Sequence, residues 1–75
     1  MNFEMKVIKE LGTLSDRSGH TKAVKLVSWN NSKPVIDVRT WDKSTGHPLR
    51  GVTIKLEEVP ALVEILKGYL DTVSN

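Results

Sequence analysis

Trp29 and Trp41 are the only tryptophans in a chain of 75 residues whose aromatic content is otherwise sparse. Each follows a cation by an even number of residues: Lys25 precedes Trp29 by four, and Arg39 precedes Trp41 by two. Side chains alternate across a strand, so even spacing places each ring and its cation on one side. Cations that neutralise phosphates, beside rings that accept bases at about 1–3 kcal/mol each, are what sequence-tolerant binding of single strands requires. The rival use of a tryptophan in a small domain is as core or dimer interface. Lys22, Lys33, Lys43, Arg50 and Lys55 lie in the same part of the chain. Any one of them reads as a solubilising charge. The signal is their shared segment.

Catalysis finds little support. Ser15, Asp16, Ser18 and His20 crowd one polar stretch, but nothing there supplies a base held by an orienting partner. The stretch Gly46-His47-Pro48-Leu49-Arg50-Gly51 lacks the glycine spacing and strand-to-helix context of a phosphate-cradling loop. There is no cysteine, and His20 and His47 stand far apart without acidic ligands at useful spacing. No disulfide, metal, cofactor or small-molecule substrate is expected, and the chain reads as a non-enzyme.

The elements that must position the rings follow from periodicity. Val35 to Trp41 is a run of β-formers between turn-rich segments, with Ile36 and Val38 on a core side and Asp37, Arg39 and Trp41 on the other. Asp37 is placed to pair with Arg39 or a neighbouring lysine. Thr21 to Trp29 is a strand with Val24 and Leu26 on one face and Ala23, Lys25, Val27 and Trp29 on the opposite one. Phe3 to Leu14 alternates and then shifts phase to Ile8, Leu11 and Leu14. This predicts a strand with a bulge near Lys9–Gly12, with a short helix over Met5–Leu11 as rival. Ser15–His20 reads as turn, Asp42–Gly51 as a long hairpin loop, and Val52–Leu56 as a fourth strand with Val52, Ile54 and Leu56 inward.

From Glu57 the period changes. Val59, Leu62, Val63, Leu66, Tyr69, Leu70 and Val73 recur at three and four, the mark of an amphipathic helix. Pro60 suits its first position, and Ile65 widens the stripe beyond what covering one sheet face requires. Gly68 marks either the helix end or a close approach of a second helix. The fold class is α+β: a four-stranded antiparallel meander followed by one helix, in a single domain over 1–75.

Seventy-five residues bury a small core, and without disulfides or metal the remaining source of burial is a partner subunit, so at least a dimer is expected. No apolar run reaches the roughly 20 residues of a membrane span. The start, Met1–Val7, carries an early acid and no continuous apolar core, so no signal peptide is expected and the cytoplasm is the default compartment. Net charge is +2, but residues 1–56 hold ten cations against five anions, and 57–75 one cation against four anions. The basic part coincides with the predicted sheet, which favours an anionic partner there.

Pro34-Val35-Ile36-Asp37-Val38-Arg39-Thr40-Trp41, the Gly/Pro/Arg loop, Gly51-Val52-Thr53-Ile54-Lys55-Leu56 and the Pro-initiated helix resemble the C-terminal domain of positive cofactor four. That family comprises transcriptional coactivators that bind single-stranded DNA, and the likeness is to its short bacterial YdbC-like branch, from about Thr21 to Leu70. The resemblance implies a curved sheet and a homodimer through paired helices, for which Leu62, Ile65, Leu66 and Tyr69 are the contact candidates. It implies base stacking on Trp29 and Trp41 and phosphate contacts from Lys22, Lys33, Arg39 and Arg50. Two consecutive aromatics are common in the family where this chain has Trp41 alone.

The reading is therefore a homodimeric binder of single-stranded DNA, with tolerance for RNA, through Lys22, Lys25, Trp29, Lys33, Arg39, Trp41, Lys43 and Arg50. Its role would lie in transcription regulation or in replication and repair. The alternative is a protein-interaction module centred on the tryptophans.

Overall fold

A computed structural model gives the structure and describes residues 4–73. Strands β1 (Met5–Arg17), β2 (His20–Trp29), β3 (Val35–Asp42) and β4 (Pro48–Ile54) form one antiparallel sheet in the order β1-β2-β3-β4. A single 3-10 turn, Leu56–Glu58, leads into helix α1 (Val59–Val73). The meander followed by one helix is the fold expected from periodicity. The expected start of the first strand at Phe3 lies outside the described residues. No helix among the described residues is long and apolar enough to cross a membrane.

β1 is a strand throughout, which removes the rival helix over Met5–Leu11. Its 13 residues oppose the ten of β2 because the register shifts three times, between Val7 and Lys9, Glu10 and Gly12, and Thr13 and Ser15. Each shift inserts one residue: Ile8, Leu11 and Leu14. A bulge spends an unpaired residue and bends the strand, so the apolar residue at every third position is the bulge repeat itself. Strand pairing also runs to Arg17 and resumes at His20, leaving only Ser18 and Gly19 as the turn. Both have positive φ, 52° and 77°, as a two-residue hairpin with right-twisted strands demands. Asn30 (φ 49°) and Asn31 (φ 63°) repeat the device between β2 and β3, closed by the Ser32 N–H donating to the Trp29 carbonyl at 2.8 Å.

β4 begins at Pro48, earlier than its alternation predicts, and the loop before it shrinks to 43–47. Pro48 is admissible because β4 is an edge strand, where a missing N–H need not break a ladder. Leu56, expected to close this strand, sits in the 3-10 turn and is half-exposed. There the Lys55 N–H donates to Glu58 Oε1 at 2.9 Å, capping the start of the helical segment. Pro60 is the second residue of α1, and Gly68 lies inside the helix with open space around it, so the helix does not end there.

The largest departure concerns burial. α1 packs on the turn it grows from rather than over the sheet, and none of its residues is buried. The radius of gyration is 14.2 Å, against about 11 Å for a compact chain of this length. Ile36 and Val38, assigned to the core by their type, are only half-buried. Of the four buried residues among those described, Ala23, Val27 and Asp37 lie on the other side of the sheet, and Ser28 does not. Among the described residues no second layer lies over that side, and the long side chains of Lys25, Trp29, Arg39 and Trp41 share it.

Candidate nucleic-acid interface

Cross-strand register defines the two faces. Thr21 pairs with Trp41, Ala23 with Arg39, Lys25 with Asp37 and Val27 with Val35; Arg39 faces Gly51 and Asp37 faces Thr53. Paired residues project to the same side, and Trp29 follows Val27 by two. Trp29, Trp41, Lys25 and Arg39 thus share one face, as their even spacing predicts. Lys22 (opposite Thr40), Val24, Leu26, Ile36, Val38, Val52 and Ile54 share the opposite face.

Asp37 anchors the first face. Its carboxylate is fully buried, and a buried charge must be paired and hydrogen-bonded. Arg39, two residues along the same strand, supplies the partner. Nε donates to Oδ2 and Nη2 to Oδ1, both at 2.9 Å, and the Thr53 hydroxyl donates to Oδ1 at 3.4 Å. The third guanidinium nitrogen, Nη1, donates to the Leu49 carbonyl at 2.7 Å. Leu49 comes within reach because β4 carries one residue more than β3 between the pairs Arg39–Gly51 and Trp41–Pro48. Hydrogen bonds to Asp37 raise the Arg39 pKa above its already high ordinary value, against a smaller opposing effect of burial. Arg39 is only 15% exposed. Its charge is neutralised in place.

Gly51 makes this arrangement possible. A Cβ there would stand 2.6 Å from both Arg39 Cβ and the Val38 carbonyl oxygen, and 2.8 Å from Arg39 Cα. Only glycine lets β4 lie this close to β3. In the sequence Gly51 looks like a loop residue, and nothing in its neighbours announces the contact.

Both rings carry a cation. The Lys25 Nζ lies 3.6 Å from the Trp41 ring centroid, and the Arg39 guanidinium carbon lies 5.4 Å from that of Trp29. These are cation–π distances. The rings are half-buried, and the Trp41 Nε1–H is buried without a hydrogen-bond partner among the described residues.

The remaining predicted cations are dispersed. Lys43 is at the β3–β4 turn, where its Nζ donates to Asp16 Oδ1 at 2.9 Å and its N–H to the Gly19 carbonyl, tying the two hairpin tips together. Lys43 holds the Asp16 carboxyl below its ordinary value. Hydrogen bonds from the Ser44 hydroxyl and N–H do the same for Asp42. Lys33 lines a depression with Lys55, beside Pro34 and Leu56. Lys22 and Arg50 line a shallow groove with Thr40 and Val52 on the aliphatic side. Of the eight candidates, four converge on one face. Lys22 and Arg50 line the aliphatic side, Lys43 is held at the hairpin tips, and Lys33 lies at the strand end in the depression that Val35 also lines. Parity places Lys22 on the aliphatic side: it is an odd number of residues from Lys25.

The dimerisation candidates lie along α1. Ile65, Leu66 and Tyr69 are exposed, and Leu62 is half-buried beside Val52 and Ile54.

No family model matches the chain. An uncharacterized protein of Treponema pallidum (strain Nichols) is 32% identical to it over 68 residues, which cover 89% of this chain and 80% of that protein.

Proposed function

We propose a function for this chain, which belongs to one family with the treponemal protein: it is a homodimeric binder of single-stranded DNA that tolerates RNA and reads no particular sequence. The observation that carries the reading is the convergence of Trp29, Trp41, Lys25 and Arg39 on one face of the sheet. Rings supply stacking platforms for bases, and Lys25 beside them offers a charge to the backbone. The likeness of the Pro34–Trp41 strand and closing helix to positive cofactor four, in its bacterial YdbC-like branch, points the same way. Transcription regulation, or the handling of strands exposed in replication and repair, is the role that fits such an activity. No catalytic role is proposed.

A second copy is the partner we assign to the helix. The accessible surface is 6004 Å², about 1,400 Å² more than the roughly 4,600 Å² of a compact monomer of this mass. That excess exceeds the roughly 800 Å² that one partner buries in an ordinary stable complex. A 15-residue helix is marginal in water without packing, and α1 exposes Val63, Ile65, Leu66, Tyr69, Leu70 and Val73. Burying this stripe and the aliphatic sheet face between two copies leaves both tryptophan faces open.

The test is a polarisation titration of labelled oligothymidine, and of a duplex of equal length, at several salt concentrations. The single strand should bind more tightly, with a log–log salt slope of roughly −2 to −3 if three to four phosphates are neutralised. Absence of binding, or binding indifferent to salt, overturns the reading. Salt-indifferent binding would instead favour a protein-interaction patch on the same rings.

A further inference from the structure

The two ring–cation pairs on the tryptophan face are built differently. Arg39 is immobilised: three of its N–H groups donate to Asp37 and Leu49, and it reaches Trp29 only at 5.4 Å. Lys25 lies at 3.6 Å over Trp41, and among the described residues its ammonium has no hydrogen bond or carboxylate partner. Among the described residues its only hold is the ring. A lysine ammonium is a compact charge on a flexible four-carbon stem, free to exchange one weak partner for a stronger one. The Trp41 Nε1–H is also unpartnered among the described residues, so packing rather than a hydrogen bond holds that ring.

Resting on the single-strand reading above, we propose that the two indoles do different work: Trp41 is the stacking platform and Lys25 its removable cover. A base takes the place of the ammonium on the ring, and the ammonium moves to the adjoining phosphate. Trp29, clamped beneath a guanidinium that Asp37 already neutralises, holds the sheet face together and accepts no base. The cover also makes the site selective. A ligand with a flat ring but no anion would displace Lys25 without giving its charge a destination. A nucleotide satisfies both at once. An apolar peptide does not.

Single-tryptophan proteins separate the two rings, with polarisation of labelled oligothymidine as a measure of binding that does not depend on tryptophan emission. In the Trp29→Phe protein, Trp41 is the reporter and its emission is quenched on binding. In the Trp41→Phe protein, Trp29 is the reporter and its emission is unchanged; in Trp41→Ala, which leaves no ring, affinity falls roughly 5- to 140-fold, the loss of one stacked base. Lys25→Met keeps an apolar stem over the ring and removes one phosphate contact, so the magnitude of the salt slope drops by about 0.7. Should Trp29→Phe not fold, the indole Nε1–H signals of the unaltered protein give the same answer. One of the two, identified by its loss in Trp41→Phe, shifts with oligothymidine. Equal quenching of both rings, or an unchanged slope in Lys25→Met, overturns the division of labour while binding itself stands. Failure of the unaltered protein to bind removes the single-strand reading and this proposal together.

Discussion

Replacing Gly51 by alanine adds one methyl group where β3 and β4 approach most closely. The new Cβ would meet Arg39 Cβ and the Val38 carbonyl oxygen at 2.6 Å. Two of the three obstructing atoms belong to the backbone and the third is fixed to it, so no rotamer change relieves the overlap. An ordinary contact needs the strands to part by roughly 0.8 Å, and overpacking of this kind costs about 1–3 kcal/mol. The same movement stretches the Arg39–Leu49 bond, now 2.7 Å, and the Thr53–Asp37 bond, now 3.4 Å, to or beyond hydrogen-bonding range. Loss of one bond to a charged group adds about 1.5–3 kcal/mol. The expected destabilisation is about 2.5–6 kcal/mol, a large part of the roughly 4–11 kcal/mol available to a domain of this length. Urea unfolding at fixed protein concentration, followed by tryptophan emission, measures it. Thermal melting should fall by at least about 10 °C. Gly12→Ala is the internal control, because nothing lies within 4 Å of a Cβ there, and its effect should stay within about 0.5 kcal/mol. Were Gly51→Ala equally mild, the close approach of the two strands and its role in seating Arg39 would be wrong.

Three other outcomes follow from the same geometry. Asp37→Asn removes the charge that Arg39 neutralises and should cost about 3 kcal/mol, the lower end for a broken buried pair because Arg39 keeps its bond to Leu49; a double-mutant cycle with Arg39→Met should recover part of the loss in denaturant titrations. Asp16 and Asp42 have folded pKa values below their unfolded ones. Their contribution to the hairpin tips is therefore complete above the ordinary carboxylate pKa, about 3.9, and is lost as pH falls through the depressed values. In Lys43→Ala, carboxyl titration by NMR should show Asp16 returning toward its ordinary value while Asp42 stays depressed. If α1 pairs with a second copy as proposed, Leu66→Glu should give a monomer by analytical ultracentrifugation and lower the helical circular dichroism, since a lone helix of this length frays.

Period-2 alternation from Val35 to Trp41 and from Thr21 to Trp29, and the three-and-four spacing from Val59 to Val73, made β2, β3 and α1 legible. These patterns persist over enough residues to outweigh local exceptions. That Asp37 would be ion-paired was also legible, with Arg39 or a neighbouring lysine as partner, and the structure selects Arg39, two residues along the strand. The start of β4 was not: Pro48 and Gly51 are loop-forming types, and only their partners Trp41 and Arg39 explain their presence in a strand. Alternation tells which residues share a side but not which side is covered. Ile36 and Val38 looked like core by their chemistry, yet the fully buried side chains are Val27 and Asp37 on the opposite face. The phase shift at Ile8 showed that β1 is irregular, but a period of three could not by itself be resolved into three separate bulges.

Those bulges have a bearing on what the protein avoids. The outer margin of β1 faces open solvent, and between its irregularities no run exceeds three residues. A foreign strand laid alongside would find amides and carbonyls in step for only that distance before its register failed, far short of the six- or seven-residue zipper that seeds fibrils. With Ile8, Leu11 and Leu14 all exposed there, a regular margin would be adhesive. The interruptions let the chain keep an apolar border at high concentration without open-ended sheet growth.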